Sequence, residues 1–170
     1  MKEIFEVAAG TVMGKDHRLS DKNNQDAFSY LTDDSLIAAV VCDGCGSQNH
    51  SEVGAKIGAQ MAIGSINRHA RYFSGKPDRK ELEKALEKVR QDMIAQLRVL
   101  ANQMQGNLTD VIYEYFLFTL IGAILTPTQA LAFSVGDGLI VINNEIFPIG
   151  PFANNEPPYL AYAITGPATA

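Results

Sequence analysis

The spacing of apolar residues changes character twice along this chain, and each change predicts a different kind of element. From Ile4 to Cys42 the apolar residues come in short stretches, IFEVAAGTV, DAFSYL and SLIAAVVC. They are bounded by Gly14-Lys15-Asp16, Asp21-Lys22-Asn23-Asn24 and Asp33-Asp34. Their length and β-branched content predict strands joined by turns. From Ser51 the period becomes helical. Ser51 is placed to cap a helix running to about His69, with Val53, Ile57 and Met61 in register on one face. Gly54, Gly58 and Ala62 sit beside that stripe and would let the helix lie close to a sheet. After Ser74-Gly75-Lys76-Pro77, Asp78 and Glu81 have the spacing of a capping box. Leu82, Leu86, Val89, Met93, Leu97, Leu100 and Met104 then recur at intervals of three and four until Gly106. That stripe suits either a coiled-coil seam or a core-facing helix, and with fewer than four heptads the core-facing helix is expected.

The last third returns to strands. EYFLFTLIGAIL, QALAFSV, LIVIN and EIFPIG are separated by Thr126-Pro127-Thr128, Gly136-Asp137-Gly138 and Asn143-Asn144. The Asn pair suits a tight hairpin, because Asn tolerates positive φ. The tail, PFANNEPPYLAYAITGPATA, is rich in Pro, Asn and Gly and reads as irregular. Strands, then two helices, then strands predict an α+β layered domain with mostly antiparallel sheets. No linker divides it, so residues 1–170 are read as a single domain.

Composition narrows the class. The chain has 170 residues, 46% of them hydrophobic and 19% charged, which suits a folded globule rather than a disordered segment. A net charge of −5 argues against nucleic acid as the main partner, since phosphate backbones select basic surfaces. Two cysteines cannot build the disulfide framework of a small secreted protein. The first 18 residues carry Glu3 and Glu6 and no sustained apolar run, unlike a signal peptide. The longest strongly apolar stretch, FLFTLIGAIL before Pro127, falls short of the ~20 residues of a membrane helix. A cytoplasmic protein with no membrane partner is expected.

The sharpest chemical feature is VVCDGCGSQNHSEVGA. An apolar strand ends in Asp43-Gly44, a glycine-bearing loop follows, and Ser51 opens a helix. A strand-end aspartate beside an unencumbered backbone can offer a carboxylate and a neighbouring carbonyl to a hard cation. Asp26 in NNQDAF and Asp137 in SVGDGLIVI occupy similar strand-end positions. Each is also an ordinary turn residue, Asp-Gly being a common turn pair. The metal reading gains from three such aspartates in one sheet-rich chain, because neighbouring strand ends can converge.

In the order GTVMGKDHR…NNQDAF, AVVCDGCGS…SEVGA and FTLIGAIL…FSVGDGLIVI, the chain resembles the metal-dependent 2C-type protein serine/threonine phosphatases. The likeness is to the bacterial branch with a QDA motif and a DG-x-GS loop, and to the N-terminal portion of the family domain. It implies a pair of packed antiparallel sheets, a β-sandwich flanked by helices, with a binuclear Mn²⁺ or Mg²⁺ centre at one end. By that likeness Asp43 would bridge both metals, the Gly44 carbonyl would bind one, and Asp26 would hold the other largely through water. Asp137 would serve an additional, weaker site. Gln25 stands where many members have a supporting glutamate, and Cys45 where many eukaryotic relatives have a histidine. Arg18, or His17 beside it, would contact phosphate. The implied activity is hydrolysis of phosphoserine and phosphothreonine in a protein substrate by metal-activated water.

The family's later segment supplies further metal-binding aspartates, and nothing after Gly150 contains Asp. The expectation is therefore a fold incomplete at its C-terminus, or a degenerate member. Two divalent ions 4 Å apart repel by roughly 16 kcal/mol at an effective dielectric of ~20, so a paired centre with so few acids should be weak. Two other readings stay open. One is a phosphatase-like domain that binds phosphoprotein or a regulatory partner without turnover. The other takes Cys42 and Cys45 as a C-x-x-C pair, forming a zinc site with His17 and His50 or a redox dithiol. His69 reads as a surface or helix-capping residue.

Overall fold

The structure, a computed structural model, describes residues 1–166, the side chain of Asp16 apart. Its centre is a hairpin of β1 (Asp26–Thr32) and β2 (Ile37–Gly44). In the connecting turn the Asp33 N–H donates to the Leu36 carbonyl at 2.9 Å. The Asp33 carboxylate accepts from the Ser35 N–H and hydroxyl, both at 3.0 Å. This turn fixes the register, and the register carries Asp26 directly opposite Asp43 at the far end of the hairpin. Strands β3 (Phe118–Leu125) and β4 (Ala130–Val135) extend the sheet in the order β1-β2-β3-β4, every pair antiparallel. A separate hairpin follows, β5 (Gly138–Ile142) and β6 (Glu145–Ile149). Asn143 and Asn144 turn it with φ of 50° and 70°, as the Asn pair predicts.

Among the described residues five α-helices accompany the strands: α1 (Lys15–Leu19), α2 (Ser51–Arg68), α3 (Arg79–Gln103), α4 (Leu108–Tyr115) and α5 (Tyr162–Thr165). Side chains alternate across a strand, so each strand has a helix-facing set and an outward set. Ala38, Val40 and Cys42 on β2 and Leu120 and Ile124 on β3 are buried in the helix-side core. The partners of α2 there are Ala55, Ala59 and Ala62, with Gly54 and Gly58 between them. The apolar stripe of Val53, Ile57 and Met61 flanks this contact and is only partly buried. The smallest residues take the closest approach, because a Cβ added at Gly58 would lie 2.3 Å from the Phe118 ring. Helix α3 packs beyond α2 through Val89, Met93, Leu97 and Ala101, so its stripe faces the core. The Asp78–Glu81 capping box is formed, with both hydrogen bonds at 2.8 Å.

The opposite face of the sheet presents Asp26, Phe28 and Tyr30, then Ala39, Val41 and Asp43, then Thr119, Ile121 and Ala123. Tyr30 and Val41 are 49% and 52% exposed. The fold is α+β and antiparallel throughout, as expected. Among the described residues, however, the only second sheet is the two-stranded β5–β6.

Several local expectations change. IFEVAAGTV forms no strand. Ile4 and Val12 are 76% and 80% exposed, and without a partner strand apolar content alone cannot order a ladder. The segment read as a turn at Gly14-Lys15-Asp16 leads into α1 instead. Glu114 and Tyr115 end α4 rather than opening a strand. Asn107 announces that helix by accepting from the Thr109 N–H at 2.8 Å. His50, not Ser51, is the N-cap of α2, without a side-chain cap. The Ser51 hydroxyl donates to the Cys45 carbonyl at 2.9 Å and ties the glycine-bearing loop to the helix. The tail includes the short α5 before the described residues end, and residues 167–170 of that stretch lie outside them.

The packing of α2 yields a paired expectation. Gly58→Val should destabilise the domain by about 2 kcal/mol or more, since the new atoms enter a filled core. Gly64→Ala should stabilise it by about 0.5–1 kcal/mol by removing backbone freedom from the unfolded chain. A Cβ at Gly64 meets nothing nearer than the Arg68 guanidinium at 3.6 Å. Urea unfolding midpoints check both.

Candidate active site

The hairpin register, not sequence proximity, assembles the acidic cluster. Asp26 begins β1 and Asp43 lies near the end of β2, so antiparallel pairing sets the two side by side on the open face. Asp137 joins them from the β4–β5 turn. Gly136 and Gly138 on either side of it have φ of +95° and +144°, which a residue with a side chain rarely adopts. A Cβ at Gly136 would lie 2.7 Å from the Thr119 side chain, so the turn sits down on β3 beside the cross-strand partner of Asp43.

These residues border two adjoining concavities. One is lined by Asp26, Asp43, Asp137, Thr119 and the irregular Gly10–Val12 segment. The other is bordered by Asp43, Gly44, Cys45 and Asp137 together with His17, Gln25 and Tyr159. The three predicted acids and the Gly44 backbone therefore come together at one end of the sheet. Of the two basic candidates, His17 borders this space, whereas Arg18 is exposed on α1 and is not part of the lining.

The electrostatics follow from the crowding. Shielding by its surroundings is the largest influence on the Asp43 carboxyl. The charge and hydrogen bond of Asp26 come next, then the charge of Asp137, and together they push it up to about 6. Only His17 pulls the other way. The site thus holds more negative charge than it can comfortably ionise, the condition a bound cation relieves.

Supporting contacts surround the pair. Gln25 is 2% exposed. Its amide donates to the Gln48 carbonyl at 2.8 Å, fastening the 45–50 loop, while its Oε1 has no partner. The Gly44 N–H donates to the Gln25 carbonyl at 3.1 Å. Lys22 donates to the Gly46 carbonyl at 3.0 Å, and Asn23 donates to Glu52 at 2.7 Å. Burial holds the Tyr159 phenol well above its ordinary range, so it remains a proton-bearing group at the rim. Sequence reasoning passed over Thr119 and Tyr159. Thr119 is the one hydroxyl residue in the apolar run FLFTLIGAIL, a signal that was available, whereas Tyr159 lay in a tail without periodicity.

The donor chemistry fits a hard divalent cation. It is all oxygen, with two adjacent carboxylates, a third nearby, and an orphaned buried amide oxygen that the waters of a hydrated ion would satisfy. Its limit is equally visible: among the described residues no group of three or more His, Cys, Asp or Glu side chains is arranged to hold a metal ion. The cysteine alternative loses its geometry. Cys42 points into the helix-side core, opposite in direction to Asp43, and burial pushes its thiol up to about 12. Cys45 sits in the loop with its sulfur 3.1 Å from the Ser47 hydroxyl. His50 stacks on Tyr115, and His69 closes α2 beside Asp92.

Comparison with known proteins places these features. No curated protein matches the chain. The profile of the family described as protein phosphatase 2C matches residues 13–156, which include Asp26, Asp43, Gly44 and Asp137. With the match extending over most of its length, the chain belongs to the protein phosphatase 2C family.

Proposed function

We propose that this domain is a metal-dependent protein serine/threonine phosphatase acting on a phosphorylated protein. The reading is supported chiefly by the cross-strand placement of Asp26 beside Asp43, with Asp137 at the same cavity, in a chain of this family. Asp43, the Gly44 carbonyl and Asp26 would hold Mn²⁺ or Mg²⁺, and Asp137 would help a weaker site. When bound, such ions draw charge from phosphoryl oxygens and acidify water toward neutral pH. Three carboxylates face four positive charges, so two ions together are under-neutralised and the second should bind more weakly than the first.

The chain's own groups have distinct tasks. Asp26 and Asp43 concentrate the negative potential that recruits the cation. His17, which borders the cavity, would receive phosphate, a task for which Arg18, exposed outside the lining, is less suited. Gln25 keeps the loop that carries Cys45 against the strand ends. The Tyr159 phenol, kept protonated, can donate a hydrogen bond to a phosphoryl oxygen or to the departing alcohol. Cys45 offers no histidine-like proton donor, so the leaving group would take its proton from water, with Tyr159 as a hydrogen-bond donor only.

A second reading, a phosphatase-like domain that binds phosphoprotein without turnover, is favoured by one observation: no complete three-residue chelating group forms among the described residues. The two separate cleanly. Under the proposal, Mn²⁺ supports hydrolysis of p-nitrophenyl phosphate, chelator abolishes it, and Asp43→Asn lowers kcat/KM by at least ~100-fold, about 2.7 kcal/mol of barrier. Turnover that survives both chelator and Asp43→Asn defeats the proposal. Phosphopeptide binding that persists in chelator without phosphate release selects the second reading.

The raised Asp43 carboxyl predicts a pH signature. In the metal-free protein its folded value of about 6 lies above its ordinary value of 3.8, so the folded state holds the extra proton between the two. Its contribution to stability is present below that window and declines as pH rises through 6. A cation competes with the same proton, so Mn²⁺ should raise the thermal midpoint at pH 7.5 and lose most of that effect by pH 5. In Asp43→Asn the metal-free decline should flatten and the Mn²⁺ shift should shrink. Thermal unfolding across pH, with and without MnCl₂, measures both.

A further inference from the structure

At the C-terminal end of α2, away from the acidic cluster, the surface reverses sign. Arg71, Tyr72, Ser74, Lys76 and Pro77 curve against Lys84 and Lys88 on the first turns of α3, enclosing a concavity of about 530 Å³. Four of the chain's 14 Lys and Arg residues line it, although the protein's net charge is −5. All four are exposed, and among the described residues none forms an ion pair. The acidic group on the wall is Glu81, whose carboxylate is committed to the Asp78 N–H at 2.8 Å in the capping box.

The cations are organised. The Arg71 guanidinium lies 4.7 Å from the centre of the Tyr72 ring and donates to the Tyr72 hydroxyl at 2.8 Å. The Lys88 ammonium lies 5.4 Å from the same ring. Each contact is attractive in itself and holds like charges together that would otherwise disperse. The loop beneath is pinned to the β3–β4 turn. Thr128 donates to the Gly75 carbonyl, and the Gln129 amide donates to the Phe73 carbonyl at 3.5 Å. Phe73 itself is 1% exposed, so it anchors the loop in the core.

We infer that this basic pocket, formed by Arg71, Lys76, Lys84 and Lys88 around Tyr72, is a docking site for an acidic segment of a partner protein. Unpaired, converging cations on an otherwise acidic protein are complementary to a run of carboxylates or phosphates. The pocket is a single open depression of limited extent, which suits a short peptide. A nucleic acid would instead need a basic stripe, and it would meet repulsion from the remaining surface. Tyr72 already carries two cations and serves to place them, rather than offering a platform for a base.

The test is independent of any phosphatase activity, because its probe contains no phosphate: a fluorescein-labelled nonapeptide with six glutamates, followed by anisotropy with the full chain. Saturable binding is expected, and the affinity should fall as salt rises. Lys84→Glu with Lys88→Glu should weaken it by at least about tenfold. The charge-matched pair Lys56→Glu with Arg98→Glu, which lies outside the pocket, should change it by less than about twofold. Arg71→Gln with Lys76→Gln serves as a milder second variant, also expected to weaken binding, with circular dichroism confirming the fold of each. Absence of saturable binding, equal losses in the pocket and control pairs, or tighter binding of a single-stranded oligonucleotide of equal charge would each overturn the inference.

Discussion

A pair of carboxylates held side by side across two strands is an electrostatic burden that the rest of this molecule is arranged to bear. The pairing of Asp26 with Asp43 is enforced at a distance, by the Asp33–Leu36 turn at the other end of the hairpin and by the seven-pair register between them. Neither acid can move away without slipping the ladder, and a one-residue slip would turn every apolar side chain of the hairpin to the wrong face. The hydrophobic burial of Ala38, Val40 and Cys42 therefore holds the acids together against their repulsion. Core packing and site chemistry are in this sense one constraint, expressed on the two sides of β2.

The same alternation divides the labour of the sheet. On the helix side, glycine and alanine let α2 approach closely, and α3 seals the layer. On the other side, the carboxylates sit at the end of an apolar surface formed by Phe28, Tyr30, Val41 and Ile121. Consecutive residues Cys42 and Asp43 have opposite fates, one a packed thiol and the other a charged ligand candidate. That parity buries the first thiol of the C-x-x-C spacing in the core and leaves the adjacent Asp43 on the open face.

Much of the site was legible because its signals were local. Asp26, Asp43 and Asp137 each stood where an apolar run met a turn, and the Asp78–Glu81 box and the Asn143-Asn144 hairpin formed as their spacing implied. What could not be read was pairing. IFEVAAGTV has the composition of a strand but no partner, and Glu114 and Tyr115, the last residues of α4, run straight into the apolar stretch of β3. The helical signature of α4, the Asn107 cap with Leu108, Val111 and Ile112 at spacings of three and four, is overshadowed by the apolar run that follows. The Gly54–Gly58–Ala62 stripe was recognised, yet its neighbour Val53–Ile57–Met61 looked more hydrophobic. Close approach, not hydrophobicity, decided which face turned inward. Tyr159 reaches the site from an aperiodic segment, and no local rule would have found it.

Helix α2 begins where Ser51 braces the glycine-bearing loop next to the acidic cluster and ends beside the basic pocket. Its 18 residues make a rigid spacer of about 27 Å between regions of opposite sign. A straight tether spanning that gap needs about eight extended residues, so any single polypeptide engaging both ends must separate its two contact points by at least that many positions. The length of one helix thereby acts as a ruler, setting which spacings along a visiting chain are geometrically admissible.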